Sequence, residues 1–167
     1  MRRPGEPCVY PGSFDPVHYG HLDIVERARE VFGVVVIGVA KNIAKKTMFS
    51  AADRVAMLKA ATSGIGGVEV RAFDGLTVEF AHAVGARVIV KGLRATMDFE
   101  FELKMAAMNK RLRPEVDTVF MMTNPQFGFL SSTLIREVAQ FGGSVDGLVP
   151  PPVARRLRQK LKSRPAR

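Results

Sequence analysis

Five short apolar runs, separated by segments with helical periodicity, constrain the fold of this chain more than any other feature. The runs are rich in β-branched residues and occupy positions 8–10, 34–39, 68–72, 87–90 and 118–122. Strands that alternate with helices are typical of a parallel sheet with crossover helices on its faces. We therefore predict one α/β domain over residues 1–167, a Rossmann-like doubly wound fold with a five-stranded parallel sheet. The usual strand order for such a sheet is 3-2-1-4-5.

Capping residues and glycines place the helices between these strands. Ser50, with Asp53 three residues later, forms a capping-box start for the second helix. Thr77 is the predicted N-cap of the third helix, and Met105 and Met108 on the fourth are expected in the core. The predicted helices cover about residues 18–32, 50–63, 77–84, 98–112 and 131–141, followed by a basic helix and tail at about 153–167.

The stretch from Tyr10 to His21, Tyr-Pro-Gly-Ser-Phe-Asp-Pro-Val-His-Tyr-Gly-His, joins the first strand to the first helix. Free backbone N–H groups and the positive end of the helix dipole meet at such a junction. His18 and His21 should share one helix face, about 5 to 6 Å apart, and Gly20 would let a ligand approach the backbone. With the hydroxyl of Ser13, this pattern predicts a nucleotide phosphate site and nucleotidyl transfer. The alternative is a proline turn whose two histidines are merely exposed polar residues.

Further polar residues follow other predicted strands, and all of them should lie at the same edge of the sheet. Lys45 and Lys46 follow the second strand, the loop after the fourth strand holds residues 91–94, and residues 131–133 open the helix after the fifth. Ligands of doubly wound sheets bind at the carboxyl edge, where the winding reverses between strands 1 and 4. A solvated loop explains the two lysines equally well, and plain N-capping explains Ser131 without excluding phosphate.

Glu102 lies one helical turn after Asp98, at the start of the fourth helix. Acidic residues are favoured there by the helix dipole, whatever their function. The Glu102 carboxylate is also suited to accept a hydrogen bond from a ribose or base, or to hold Arg94 in place.

The formal net charge of +9 would by itself indicate a nucleic-acid partner. Much of the excess lies after residue 154, in a run that is typical of a solvated face or of a site for an acidic partner. Cys8 is the one cysteine and is expected to fill the first strand, which suits a reducing cytoplasm. No apolar run is long enough for a secretory leader or a membrane helix, so we expect a cytoplasmic protein with no membrane partner.

Several motifs together resemble one known family. They are Tyr-Pro-Gly-Ser-Phe-Asp-Pro from Tyr10, Gly20-His21, Lys45-Lys46 with Met48-Phe49, Lys91-Gly92-Leu93-Arg94, Asp98-Phe99-Glu100-Phe101-Glu102, Met108-Asn109 and Leu130-Ser131-Ser132-Thr133. On these residues the chain resembles the bacterial phosphopantetheine adenylyltransferases, within the nucleotidyltransferases marked by (H/T)-x-G-H. The resemblance implies transfer of AMP from ATP to 4′-phosphopantetheine, which gives 3′-dephospho-coenzyme A and pyrophosphate. It also implies Mg²⁺ held mainly through the ATP phosphates, a homohexamer, coenzyme A as a feedback ligand, and no nucleic-acid partner.

The resemblance also implies roles for individual residues. His21 would stabilise the transition state, and Lys45, Arg94 and Ser13 would complete the catalytic set. No protein ligand to the metal is implied. The residues implied to contact ATP are Ser13, Phe14, His18, His21, Gly92, Leu93, Arg94, Glu102, Phe127, Gly128, Phe129, Leu130, Ser131, Ser132 and Thr133. Those implied to contact the second substrate are Ser13, Lys45, Thr77 and Lys91.

The chain departs from the family pattern at four of these positions. His18 stands where threonine is common, Lys91 where arginine is frequent, Phe101 where tyrosine is frequent, and Thr77 where a larger apolar residue is expected. The alternatives within the class are a nicotinate mononucleotide adenylyltransferase and a glycerol-3-phosphate cytidylyltransferase, which share the His-x-Gly-His device. The motifs around Arg94 and Ser131 argue against both. An aminoacyl-tRNA synthetase is excluded by length, and a nucleic-acid-binding module remains the alternative from another class.

Overall fold

The computed structural model describes residues 5–41, 47–94 and 96–162. Within them, five strands alternate with helices in the predicted order. The elements are β1 Cys8–Gly12, α1 Tyr19–Phe32, β2 Val35–Ala40, α2 Ala51–Thr62, β3 Val68–Phe73, α3 Thr77–Ala83, β4 Val88–Leu93, α4 Thr96–Leu112, β5 Asp117–Met122, a 3₁₀ turn Pro125–Phe127, α5 Ser132–Gln140 and α6 Pro151–Lys162.

All pairings in the sheet are parallel, and the strand order is β3-β2-β1-β4-β5, as predicted. β1 pairs with β2 along its whole length, from Cys8 to Gly12. It pairs with β4 only at two positions, Cys8 with Val88 and Val9 with Ile89. β1 and β4 therefore separate after Val9, and a crevice opens at the carboxyl edge where the winding of the sheet reverses.

Alternation along the strands builds two apolar layers on opposite faces of the sheet. Cys8 and Tyr10 belong to the larger layer, which packs against α1, α2, α5 and α6. Val9 belongs to the smaller layer, with Val78 and Ala81 of α3. Cys8 is fully buried and fills its strand, as predicted. The two layers fix the helices whose N-termini surround the crevice.

Capping follows the prediction at two helices and differs at a third. The Ser50 hydroxyl accepts from the backbone N–H of Asp53 at 3.1 Å, and that of Ser131 accepts from Leu134 at 3.0 Å. The prediction for Thr77 was wrong, because the N-cap of α3 is Leu76 and Thr77 is the first helical residue. The cap of α3 has no side-chain hydrogen bond, so no polar residue marks its start.

Two further predictions were wrong. β4 continues to Leu93, so Lys91, Gly92 and Leu93 belong to the strand and not to the loop after it. Met105 and Met108 are exposed on α4 instead of packing in the core, with Met108 53% accessible. They are among the exposed apolar residues of α4 and β5, which are Phe99, Phe101, Leu103, Met105, Met108, Leu112, Val119 and Met122. Of the described helices, none has the length and apolar character needed to cross a membrane.

Candidate active site

A cavity of about 570 Å³ lies where β1 and β4 separate. Most of the residues predicted to bind a ligand line it. They are Ser13, Phe14, His18, His21, Lys91, Gly92, Arg94, Glu102, Ser131, Ser132 and Thr133. Leu93, Thr77 and residues 127–130 were also predicted, but they are not on its wall. Lys45 and Lys46 lie outside the described residues.

The two histidines of the loop lie in direct contact. Their rings stack with centroids 3.6 Å apart, and the backbone N–H of His18 donates to Nδ1 of His21 at 3.2 Å. His18 is the N-cap of α1, with extended φ and ψ of −141° and 170°. Its side chain therefore does not stand on the helical face as predicted. His18 is 3% accessible, so it is not the exposed polar residue of the proline-turn alternative.

Burial keeps both imidazoles neutral at physiological pH. It lowers the pKa of His18 to about 3, and the positive charge of Arg94 acts in the same direction. The pKa of His21 also lies well below its usual value, because of burial first and then of His18 and Arg94. Since Nδ1 of His21 accepts a hydrogen bond, the proton of the neutral ring is on Nε2. His21 can therefore offer one N–H donor to a ligand in the cavity that it lines.

Gly20 and Phe14 support the histidine pair. A Cβ on Gly20 would lie 3.1 Å from the His18 ring, so the glycine makes room for that ring, and Gly20 also lines the cavity that a ligand would enter. Phe14 is buried, has φ of 50°, and packs edge-on against Tyr10 and His21 with centroids 5.4 and 5.0 Å away. A positive φ is uncommon for a residue other than glycine, so the surrounding contacts must hold this loop in place.

Side chains from α2 and α5 hold three carbonyls of the loop at residues 13–16. Arg54 donates to Ser13 O at 2.6 Å, Arg136 donates to the carbonyl of Asp15, and the Ser132 hydroxyl donates to the carbonyl of Pro16 at 2.8 Å. Neither Arg54 nor Arg136 was predicted from the sequence. One signal was available, because Arg54 shares helical spacing with the buried residues Met57 and Leu58.

The carboxylate of Asp15 is buried beneath this loop. It accepts hydrogen bonds from the backbone N–H groups of Met48 at 2.8 Å and Phe49 at 2.9 Å, and Arg136 lies 3.3 Å away. Burial lowers the pKa of Arg54, and the charge of Asp15 offsets part of that shift. Two arginines thus lie beside one carboxylate under the loop. Their net positive charge suits anionic ligands above the loop.

Basic groups and a helix end complete the wall. Nζ of Lys91 lies 3.0 Å from the Glu102 carboxylate, while Arg94 donates to the carbonyl of Leu130 at 2.7 Å. Glu102 therefore pairs with Lys91, and Arg94 anchors the segment before α5. The N-terminus of α5, at Ser132, adds backbone N–H groups and the positive end of its dipole. A cavity with such walls can hold a polyphosphate.

The chain is similar to known proteins over most of its length. The cytidylyltransferase-like family matches residues 9–138. A phosphopantetheine adenylyltransferase from Caldanaerobacter subterraneus subsp. tengcongensis is 51% identical over 155 residues, which is 93% of this chain and 97% of that protein. Another, from Heliobacterium modesticaldum, is 53% identical over 153 residues, 92% of this chain and 91% of that protein. A third, from Thermosynechococcus vestitus, is 51% identical over 150 residues, 90% and 89% of the two chains.

A solved structure gives a more distant comparison, which concerns the fold alone. It is described as a candidate nicotinate-nucleotide adenylyltransferase from Vibrio parahaemolyticus and superposes with a TM-score of 0.66 at 17% identity. The match covers 92% of this chain and 98% of that chain. The fold therefore recurs in a protein of very different sequence.

Proposed function

The chain belongs to the phosphopantetheine adenylyltransferases of the cytidylyltransferase-like family, and from that premise we infer what its cavity does. The protein is a nucleotidyltransferase of coenzyme A biosynthesis. It transfers AMP from ATP to 4′-phosphopantetheine and gives 3′-dephospho-coenzyme A and pyrophosphate. This conclusion rests on the sequence identity of 51% and 53% to relatives of that name, over 93% and 92% of the chain. A basic cavity at the switch point of the sheet is where such a reaction is expected.

The neutral state of His21 supports a role as a hydrogen-bond donor in the transition state. The acceptor phosphate carries about 1.5 to 2 negative charges at neutral pH, so it attacks without a strong base. An oxygen of this phosphate bonds to the α-phosphorus of ATP while the bond to the bridging oxygen breaks, and that electron pair leaves with pyrophosphate. Nε2–H of His21 would stabilise the charge that develops on the α-phosphate oxygens.

The remaining predicted residues fall into two groups. On the ATP side we place Arg94, Glu102 and the N-terminus of α5, together with residues 127–133, because Arg94 ties that segment to the wall. Lys91 is assigned to the acceptor phosphate, with Ser13 between the two sides. Lys45 and Thr77 keep the acceptor-side roles that the resemblance implies. Their support is the resemblance alone.

Mg²⁺ is proposed to enter with ATP. Glu102 is the one acidic residue among the described residues on the wall, and it is paired with Lys91. Such a wall fits an ion carried by the nucleotide, since Mg²⁺ commonly keeps several waters and binds substrate phosphates. When bound, the ion would neutralise phosphate charge. The chain's own part would be to orient the nucleotide through Arg94 and the N-terminus of α5.

Three further properties are proposed on the same premise: assembly as a homohexamer, feedback binding of coenzyme A, and a cytoplasmic location. The exposed apolar residues of α4 and β5 support assembly, because contact between copies would remove their apolar area from water. Coenzyme A contains the pantetheine and adenylate parts of the product, which supports its binding in the same cavity. The expected substrates, ATP and 4′-phosphopantetheine, support a cytoplasmic location.

The test is pyrophosphate release from ATP and Mg²⁺ with 4′-phosphopantetheine, with nicotinate mononucleotide, or with no acceptor. We expect release with 4′-phosphopantetheine alone. His21→Ala should lower kcat about 10²- to 10³-fold, the usual cost of removing one such donor. His82→Ala, at an exposed histidine of α3, is the matched control. Release with only another acceptor would overturn the substrate assignment, and a His21→Ala turnover within a few-fold of wild type would overturn the role of His21.

A further inference from the structure

The loop at residues 13–16 is held by α2 and α5, although neither helix adjoins it in the sequence. Its carbonyl at Ser13 is bonded by Arg54, its carbonyl at Asp15 by Arg136, and its carbonyl at Pro16 by Ser132. Ser13 and Phe14 stand on the cavity wall. The position of the wall beside the reacting phosphates therefore depends on contacts from outside the cavity, since neither Arg54 nor Arg136 lines it.

Arg54 is the more constrained of the two arginines. It is 1% accessible and meets three backbone carbonyls: Nη1 donates to Ser13 at 2.6 Å and to Ala40 at 3.0 Å, and Nε donates to Phe49 at 3.3 Å. Ala40 ends β2, and Phe49 immediately precedes the N-cap of α2. One planar guanidinium thus connects the loop after β1 with the end of β2 and the start of α2.

Asp15 completes the arrangement from the opposite side. Its carboxylate accepts from the backbone N–H of Phe49 at 2.9 Å, while Arg54 bonds the carbonyl of the same residue at 3.3 Å. Phe49 is therefore fixed through both of its backbone polar groups. Phe14 lies between Ser13 and Asp15 and has a φ of 50°. The contacts on either side of Phe14 hold it in a conformation that residues other than glycine rarely adopt.

We propose that Arg54 and Arg136 are positioning residues for the transfer reaction, which hold the loop at residues 13–16 in the geometry that the transition state requires. The proposal rests on the proposed function. Neither arginine needs to touch a substrate, because each acts through the backbone of Ser13 or Asp15. A displacement of about 1 Å in such a wall can lower a rate about 10²-fold, since the reacting groups must be aligned.

Lysine is the informative replacement for Arg54. It keeps the charge, but its three donors share one nitrogen and cannot reproduce the fork that spans the carbonyls of Ser13 and Phe49. We expect Arg54→Lys to lower kcat about 10- to 100-fold, with the KM values for both substrates changed only about 3-fold or less. Arg136→Lys should show the same pattern. Arg156→Lys is the matched control, at an exposed arginine of α6 that pairs with Asp53.

Single-turnover amplitudes give the concentration of active sites, and kcat is expressed per active site. A purely structural role would lower the melting temperature and the number of active sites but leave this kcat unchanged, which would overturn the proposal. If Arg54→Lys does not fold, Arg136→Lys decides, because its side chain is partly exposed. Unchanged kcat in that variant overturns the proposal, and a selective loss of kcat supports it.

A failure of the proposed function would be visible in the wild type. If another acceptor supports pyrophosphate release, the kcat of each variant is compared with that of the wild type using that acceptor. If no acceptor does, hydrogen exchange of the peptide containing residues 13–16 is compared between Arg54→Lys and Arg156→Lys. Faster exchange in Arg54→Lys alone supports the control of this loop by Arg54, and equal exchange in the two variants overturns it.

Discussion

The histidine pair at the start of α1 should make the stability of the protein depend on pH in a range where few other groups titrate. His18 has a pKa of about 3 in the folded chain, and that of His21 is also well below its usual value, whereas both should be near 6.5 when unfolded. Between these values the unfolded chain binds more protons than the folded one. The free energy of unfolding must therefore fall as pH falls below about 6.5, and it should be nearly constant above about 7.5.

The size of this effect follows from the pKa difference. From about pH 7.5 to about pH 5.5, protonation of the unfolded chain at His18 should remove about 1 to 2 kcal/mol, and protonation at both histidines should remove about twice as much. His18→Thr should remove about half of the dependence, since it leaves His21, whose pKa is also lowered. Urea unfolding at a fixed protein concentration is the measurement, because oligomerisation would change the apparent stability.

The control for this prediction is His82→Gln, which replaces the exposed histidine of α3 and should keep the wild-type dependence on pH. The measurement is kept between about pH 5.5 and about pH 7.5, because most carboxylates titrate below that range and would add their own dependence on pH. A wild-type free energy of unfolding that does not change between about pH 7.5 and about pH 5.5 would refute the reasoning. So would a His18→Thr variant with the full wild-type dependence.

Three further predictions concern packing, charge and ligands. In Gly38→Ala the new Cβ would lie 2.6 Å from the Phe80 ring, so urea unfolding should show a loss of about 1 to 3 kcal/mol, whereas Gly64→Ala, with open space around it, should lose less. Equal losses would contradict the packing argument. Lys91→Met removes a charge-assisted contact and leaves Glu102 without its 3.0 Å partner, so KM for 4′-phosphopantetheine should rise about 10- to 100-fold in a pyrophosphate-release assay. Lys91→Arg should stay near wild type, and an unchanged KM in Lys91→Met would count against the acceptor-side assignment. ATP with Mg²⁺ at about 100 times its Kd should raise the melting temperature by about 5 to 10 °C. EDTA should reduce that shift, and an identical shift with and without the metal would contradict the proposal that Mg²⁺ enters with ATP.

Features that depend on local sequence were predictable. The five strands and their order follow from β-branched runs and from the statistics of doubly wound sheets. The meeting of Ser13, His21 and Arg94 on one cavity follows because the carboxyl ends of parallel strands share an edge. No further assumption was needed for that part of the site.

Features that depend on contacts between distant segments were not predictable. Burial of Arg54 requires carbonyls at Ser13, Ala40 and Phe49, which are brought together only by the tertiary fold. The position of His18 depends on a helix boundary shifted by one residue, which changes the side chain from a helical to an extended direction. Met108 was placed in the core because an apolar pattern does not distinguish a core from an exposed surface.

The charges around the cavity indicate why a neutral histidine suits this chemistry better than a protonated one. Lys91 and Arg94 carry permanent charges and would attract phosphates in the ground state and in the transition state alike. Binding that is equal in both states lowers KM without raising kcat. A third cation at His21 would add to this uniform binding and would also hold pyrophosphate after the reaction. A neutral imidazole instead offers one donor, whose gain is greatest when charge develops on the oxygens it meets. Burial beside Arg94 keeps His21 neutral. The same lowered pKa makes the fold less stable in acid and leaves His21 as a hydrogen-bond donor that is selective for the transition state.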